Sequence, residues 1–175
     1  IEKYENISDN MELEIANYLN KVSEGRLSSE SKLEIRGMLR EVTEIESIGD
    51  SCYNLARTIN RKRSGGNDFT EKQYEHIHQM MQLTNDALAH MIAVVEDDHH
   101  VVDVNKSFNI ENEINNYRAQ LKNQNVVDVN NKEYDYQMGV HYMDIIGECE
   151  KLGDYVVNVV EARTNVKEKK IGDNR

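Results

Sequence analysis

No proline occurs anywhere in the 175 residues. Proline breaks a helix interior because it lacks an N–H and its ring clashes with the preceding turn. Its absence leaves long, unbroken helices as the expected element. The chain also lacks tryptophan and has two phenylalanines, too little aromatic and turn signal for an all-β sandwich. At the usual ~150 residues per domain, the length suits one compact domain or two small ones closely joined. Such a chain can bury roughly 70% of the surface that its unfolded form exposes, so a core forms without staples.

Charge narrows the function classes. With 21 basic and 32 acidic residues, the formal net charge is −11 and the pI about 5.0. Phosphate-backbone binding is driven by Lys and Arg releasing counterions, so nucleic acid is not an expected partner, nor is an anionic membrane surface. Cys52 and Cys149 offer neither a disulfide framework nor zinc spacing, and a reducing compartment is the plain reading. No apolar run approaches the ~20 residues that span a bilayer. The sequence begins at Ile1 without a methionine or a signal pattern, which reads as a piece of a longer product.

Apolar spacing places the helices. Tyr4, Ile7, Met11, Ile15, Tyr18, Leu19 and Val22 recur at helical intervals up to Gly25, a C-cap candidate. Ser28, Ser29 and Glu30 open a second helix, whose heptads run Ile35, Val42, Gly49, Ala56 and Met38, Ile45, Cys52, Ile59. Arg61-Lys62-Arg63 suits a helix C-terminus by charge, and residues 64–68 form a turn. A third helix runs from Thr70 to Asp97 with Tyr74, Ile77, Met81, Thr84, Leu88, Met91 and Val95 on its buried face. A polar knot at residues 97–100 precedes a fourth helix, which an Asn-rich loop at residues 123–131 breaks. The fifth runs from about Tyr134 to Asn165, and residues 167–175 form a charged, frayed tail. The expected fold is all-α, an antiparallel bundle of about five long helices.

The second and fifth helices repeat each other. Residues 44–55 match residues 148–159 at a constant offset of 104, with Glu44/Glu148, Glu46/Glu150, Gly49/Gly153, Asp50/Asp154 and Asn54/Asn158 identical. Self-similarity at one offset marks a duplicated unit, so two pseudo-equivalent halves follow: residues 1–66, incomplete, and residues 67–166.

The repeated residues are an unusual choice. Glu46 and Asp50 lie on one helical stripe, where like charges repel by a few tenths of a kcal/mol. Mid-helix Gly49 costs about 1 kcal/mol relative to alanine, but it lets a neighbouring helix approach and face the carboxylates. Glu150, Gly153 and Asp154 repeat both costs. Paired carboxylates on bundle helices can hold hard or borderline metal ions. Facing partners are Glu5 and Asp9 in the first half, and Glu111 with Asn115 in the second. Neither Glu46 nor Glu150 has a His three residues on, which disfavours di-iron oxidation chemistry. Interhelical salt bridges to Arg36, Arg40, Arg57 or Arg118 are the plainer account of the same carboxylates. His76, His78 and His90 read as solvated or packing residues, and Met80, Met81 and Met91 as core filler.

These motifs resemble the PhoU family of phosphate-uptake regulators. The resemblance rests on Glu46-Ser47-Ile48-Gly49-Asp50 with Asn54-Leu55-Ala56, and on Glu150-Lys151-Leu152-Gly153-Asp154 with Asn158-Val159-Val160. The stretch Tyr18-Leu19-Asn20-Lys21-Val22-Ser23 followed by Leu27-Ser28 is similar to the PhoU-like domain ending many bacterial sodium/phosphate cotransporters. The resemblance implies two three-helix bundles, with the first helix of the first one missing ahead of Ile1. It also implies divalent or iron ions at the acidic stripes, and the corresponding metal positions are Glu46, Asp50, Glu150, Asp154, Glu5, Asp9 and Glu111. Ser51 and Tyr155 stand where the family often has His, and Asn115 where it has a second acid.

The expectation is a non-catalytic regulatory domain of inorganic phosphate transport. It would be the cytoplasmic tail of a sodium/phosphate cotransporter, attached to the inner membrane through an upstream transmembrane region and partnered by that membrane portion. The alternatives are a freestanding adaptor between a phosphate ABC transporter and a sensor kinase, and a metal-binding carboxylate-stripe protein. A homodimer is compatible with each. No nucleophile–base constellation is visible, so no catalytic residue is assigned.

Overall fold

The computed structural model of the chain describes residues 1–64, 68–97 and 101–172. Five helices follow one another: α1 Glu2–Ser23, α2 Ser29–Ser64, α3 Glu71–Glu96, α4 Asn105–Asn130 and α5 Tyr136–Gly172. Local chemistry starts several of them. The Ser28 hydroxyl accepts the Ser31 amide at 3.1 Å, and Asp135 accepts the Met138 amide at 2.7 Å. At α3 a full capping box forms. Thr70 accepts the Gln73 amide at 3.2 Å while the Gln73 side chain accepts the Thr70 amide at 3.0 Å, satisfying two otherwise orphaned donors.

Cross-helix pairs define the topology. Ser8 meets Gly49 and Thr43 bonds Glu12, so α1 and α2 are antiparallel. Arg40–Glu161 and Asn158–Glu44 make α2 and α5 antiparallel. Ile114 against Gly153 and Arg118–Glu150 do the same for α4 and α5. His90–Ser107 and Tyr117–Gln79 do so for α3 and α4. The His76–Tyr142 and Thr84–Cys149 contacts run α3 parallel to α5. α5 touches α2, α3 and α4, whereas α1 packs on α2 alone among the described helices.

The core therefore sits in the second half. Met80, Ile114, Ile145, Ile146, Cys149, Val156, Val159 and Val160 are fully buried, each side chain stabilising the fold by roughly 1.5–3 kcal/mol. Ile48, Leu55 and Ile59 of α2 pack on its edge.

Four sequence expectations are corrected. The Asn-rich stretch does not break α4, which continues to Asn130. Asparagine is only mildly unfavourable in a helix, and the Gln124–Asp128 bond (2.7 Å) and the bond from Tyr134 to Asn125 (3.0 Å) support these turns. Lys132, at a φ of 61°, turns the chain instead. Second, residues 167–172 continue α5. Third, the buried face of α3 is Gln73, Ile77, Met80, Thr84, Ala87, His90, Met91 and Val94, turned because α3 must face both α4 and α5. Met81, Leu88 and Val95 pack at its edge, and Tyr74 is exposed. Fourth, Glu24, not Gly25, caps α1, in right-handed helical conformation. Most of the turn at residues 64–68 and the knot at 97–100 lies outside the described residues.

Candidate functional site

On α2, Glu46 and Asp50 project one turn apart beside Gly49. A Cβ on Gly49 would lie 3.3 Å from Ser8 Oγ, so the missing side chain is what admits α1 so closely. That approach brings Glu5 and Asp9 to Asp50, where an oxygen of each lies within 4.8 Å of the others. Glu46 stands beside them. Burial, then Asp50, Glu12, Asp9 and Glu5, push its pKa above the usual carboxylate range. Glu5 is raised likewise, by slight desolvation and then Asp9, Asp50 and Glu2. Among the described residues, the charged groups that shift Glu46 are all carboxylates. Glu12 is held in place by a 2.9 Å bond from the Thr43 hydroxyl.

Around Gly153 a similar close approach of a neighbouring helix carries different charge chemistry. A Cβ on Gly153 would lie 3.2 Å from Ile114 Cδ1, so Ile114 of α4 occupies the place of Ser8. This aligns α4 with α1 at an offset of 106, from 8 to 114. Glu150 and Asp154 of α5 and Glu111 of α4 gather here, but Arg118 Nε lies 3.6 Å from Glu150 Oε2. Burial raises both Glu150 and Asp154, and Arg118 pulls both back down. The Asn115 amide donates to Glu111. The Asn115 oxygen and Arg118 Nε are buried without a hydrogen-bond partner among the described residues. At the 106-residue offset Arg118 corresponds to Glu12.

The two halves differ accordingly in fitness for a cation. Three converging carboxylates and a fourth with raised proton affinity fit a hard cation, which prefers several oxygen ligands at short range. Around Glu150 the guanidinium already supplies positive charge. Of the arginines expected to pair with motif acids, Arg118 does so, whereas Arg40 pairs with Glu161 at 3.1 Å and Arg57 lies over the Tyr53 ring.

The histidines pack rather than gather. His90 shares a 2.8 Å hydrogen bond with buried Ser107, and His76 a 2.9 Å bond with Tyr142. His78 lines a cleft of about 1100 Å³ between α2 and α3, together with Ile59, Lys62, Phe69 and Met81. Lys62 is buried and bonded to Asp68, its ammonium 4.2 Å from the Phe69 ring centroid. Lys62 does lie near the C-terminus of α2, as its charge suggests, and Asp68, Phe69 and Tyr74 surround its ammonium. Glu12 also escaped notice, because its signal is visible only when α1 is aligned with α4.

Among the described residues no helix is long and apolar enough to cross a membrane. Residues 77–162 match the family model of the PhoU domain, a stretch that covers most of α3, all of α4, and α5 through both motif carboxylates. No curated protein matches the chain.

Proposed function

We propose, from the match of residues 77–162 to the PhoU domain model, that the chain is a non-catalytic regulatory domain of inorganic phosphate transport, and specifically the cytoplasmic tail of a sodium/phosphate cotransporter. A PhoU domain implies regulation of phosphate transport. The observation that carries the reading is the duplicated acidic ridge, Glu46/Asp50 and Glu150/Asp154, each meeting a neighbouring helix across a seam glycine. One copy lies inside the matched segment.

In this reading Glu5, Asp9, Asp50 and Glu46 hold a divalent or iron ion, while Arg118 provides the positive charge for Glu111, Glu150 and Asp154. A bound ion would supply charge neutralisation and a cross-link between α1 and α2. The carboxylates do the rest: they position α1 on α2 when neutralised and push it away when not. Coupling to transport requires that the transporter's two states bind the domain with different free energy.

The test measures phosphate flux and co-purification with the membrane portion, for the native protein and for Glu46→Gln with Asp50→Asn. Loss of regulation with retained association supports the reading. No association and unchanged flux on deleting residues 1–175 overturns it. Association with a phosphate ABC transporter or a sensor kinase instead indicates the adaptor role. Elemental analysis after purification without chelators decides the ion separately.

A further inference from the structure

A lysine near a helix end ordinarily lays its methylenes on the protein and keeps its ammonium in water. Lys62 does not. Its neighbour Arg61 is exposed, but Lys62 is only 8% exposed, and its ammonium is enclosed. That ammonium lies 4.2 Å from the Phe69 ring centroid and 5.5 Å from that of Tyr74. The two rings meet edge to face, 5.6 Å apart at 81°. Lys62 donates to the Asp68 carboxylate and, at 3.4 Å, to the Tyr74 hydroxyl, which itself donates to Asp68. The Phe69 amide, donating to Asp68 at 2.9 Å, fixes the carboxylate in place. Aromatic rings and a carboxylate are what recognise ammonium ligands, and here they hold the chain's own side chain.

An apolar residue of similar volume would fill this space without the desolvation cost of a buried charge. What the charge adds is a directed tie, and its place gives that tie a consequence. α2 packs on α1 and α5 but not on α3. Between the end of α2 and the start of α3 lies the cleft of about 1100 Å³, with Ile59 and Lys62 on one side and Tyr74, His78 and Met81 on the other. Lys62 and Tyr74 bond directly across it.

We propose that Lys62 is a latch: its ammonium, caged by Phe69, Tyr74 and Asp68, holds the start of α3 to the end of α2 and sets the width of the cleft between them. The latch acts through charge, so an uncharged side chain of equal length does not replace it. From His76 onward α3 is held independently, His76 by Tyr142, Thr84 by the Cys149 carbonyl and His90 by Ser107. Release of Lys62 therefore loosens the crossing at Asp68 and Phe69 and the first turn of α3, and leaves the rest of that helix in place. Lys62 is a positioning residue, and the cleft opens when its charge is lost.

Amide hydrogen exchange of the whole chain tests this. Lys62→Met keeps the length and removes the charge. It should speed exchange at residues 69–75 about tenfold, the scale of a desolvated cation–π contact, with residues 84–94 unchanged. Asp68→Asn, at a side chain 76% exposed, loosens the latch from the solvent side and should give the same pattern, so the test stands even where Lys62→Met does not fold. In Lys62→Ala the cage is open to a small cation. Propylammonium chloride, which supplies the deleted atoms, should restore the protection, and sodium chloride at equal concentration should not. Unchanged exchange at residues 69–75 in Asp68→Asn, or in a folded Lys62→Met, overturns the proposal. So does a rise spread evenly over α3 and α5, which assigns Lys62 to general stability alone. A Lys62→Ala variant that propylammonium restores no better than sodium chloride equally overturns it.

Discussion

Arg118 lies 3.6 Å from Glu150 across the α4–α5 seam, and at the matching place on the α1–α2 seam stands Glu12, which raises the proton affinity of Glu46. Matching positions beside the two seam glycines thus carry opposite charges. Arg118 offsets part of the negative charge around Glu150, whereas carboxylates alone gather around Glu46.

Exchanging that charge should transfer the property. Glu12→Arg is expected to stabilise chelator-treated protein by about 0.2–1 kcal/mol, the usual range for an exposed ion pair. It should also remove any gain in urea midpoint on adding manganese, a gain that in the native protein follows the mass-action dependence of ligand-linked stability. Unfolding curves with and without EDTA check both.

Protonation should relieve the first-half cluster. The Glu46 pKa is raised in the folded state, so its charged form is disfavoured there. The repulsive cost is full at neutral pH. It fades as pH falls through the folded value, and has gone below the unfolded value near 4.3. Glu46→Gln should therefore stabilise at pH 7 and have no effect near pH 4, as read by urea midpoints in EDTA.

The seam glycines should respond with opposite signs. Gly153→Ala drives a methyl to 3.2 Å from Ile114, which is wholly buried. Overpacking of about 1–3 kcal/mol then outweighs the propensity gain of about 1 kcal/mol. Gly49→Ala meets the half-exposed Ser8 hydroxyl at 3.3 Å, which has room to rotate, so stabilisation below about 1 kcal/mol is expected. Thermal midpoints of the two variants give the comparison.

Ser107→Ala should strand the His90 ring in the core. The pair shares a 2.8 Å bond with both residues buried, and removing one partner costs about 1–3 kcal/mol. Burial holds the His90 pKa below its usual value, with Lys106 adding to the effect. The unfolded chain therefore binds the proton more tightly. This group's contribution is complete above the unfolded value near 6.5 and is lost as pH falls through the folded value. Its slope opposes that of Glu46, and His90→Gln should remove it.

The helices, their amphipathic faces and the duplicated Glu-x-x-x-Asp ridges are legible in the chain, because helical periodicity and a repeat at fixed offset are local properties. The break expected at residues 123–131 was misread for a physical reason: composition registers asparagine, but not Tyr134 folding back to bond Asn125. For α3 the residue spacing was right, but the face could be fixed only by the helices on either side of it.

What sequence alone determined is that this chain would be long helices carrying two acidic ridges, each beside a glycine, since spacing and side-chain type settle those matters within a few turns. Tertiary structure alone decided which ridge has a guanidinium beside it and which has a further carboxylate. Those outcomes depend on which side chain from another helix arrives at each carboxylate.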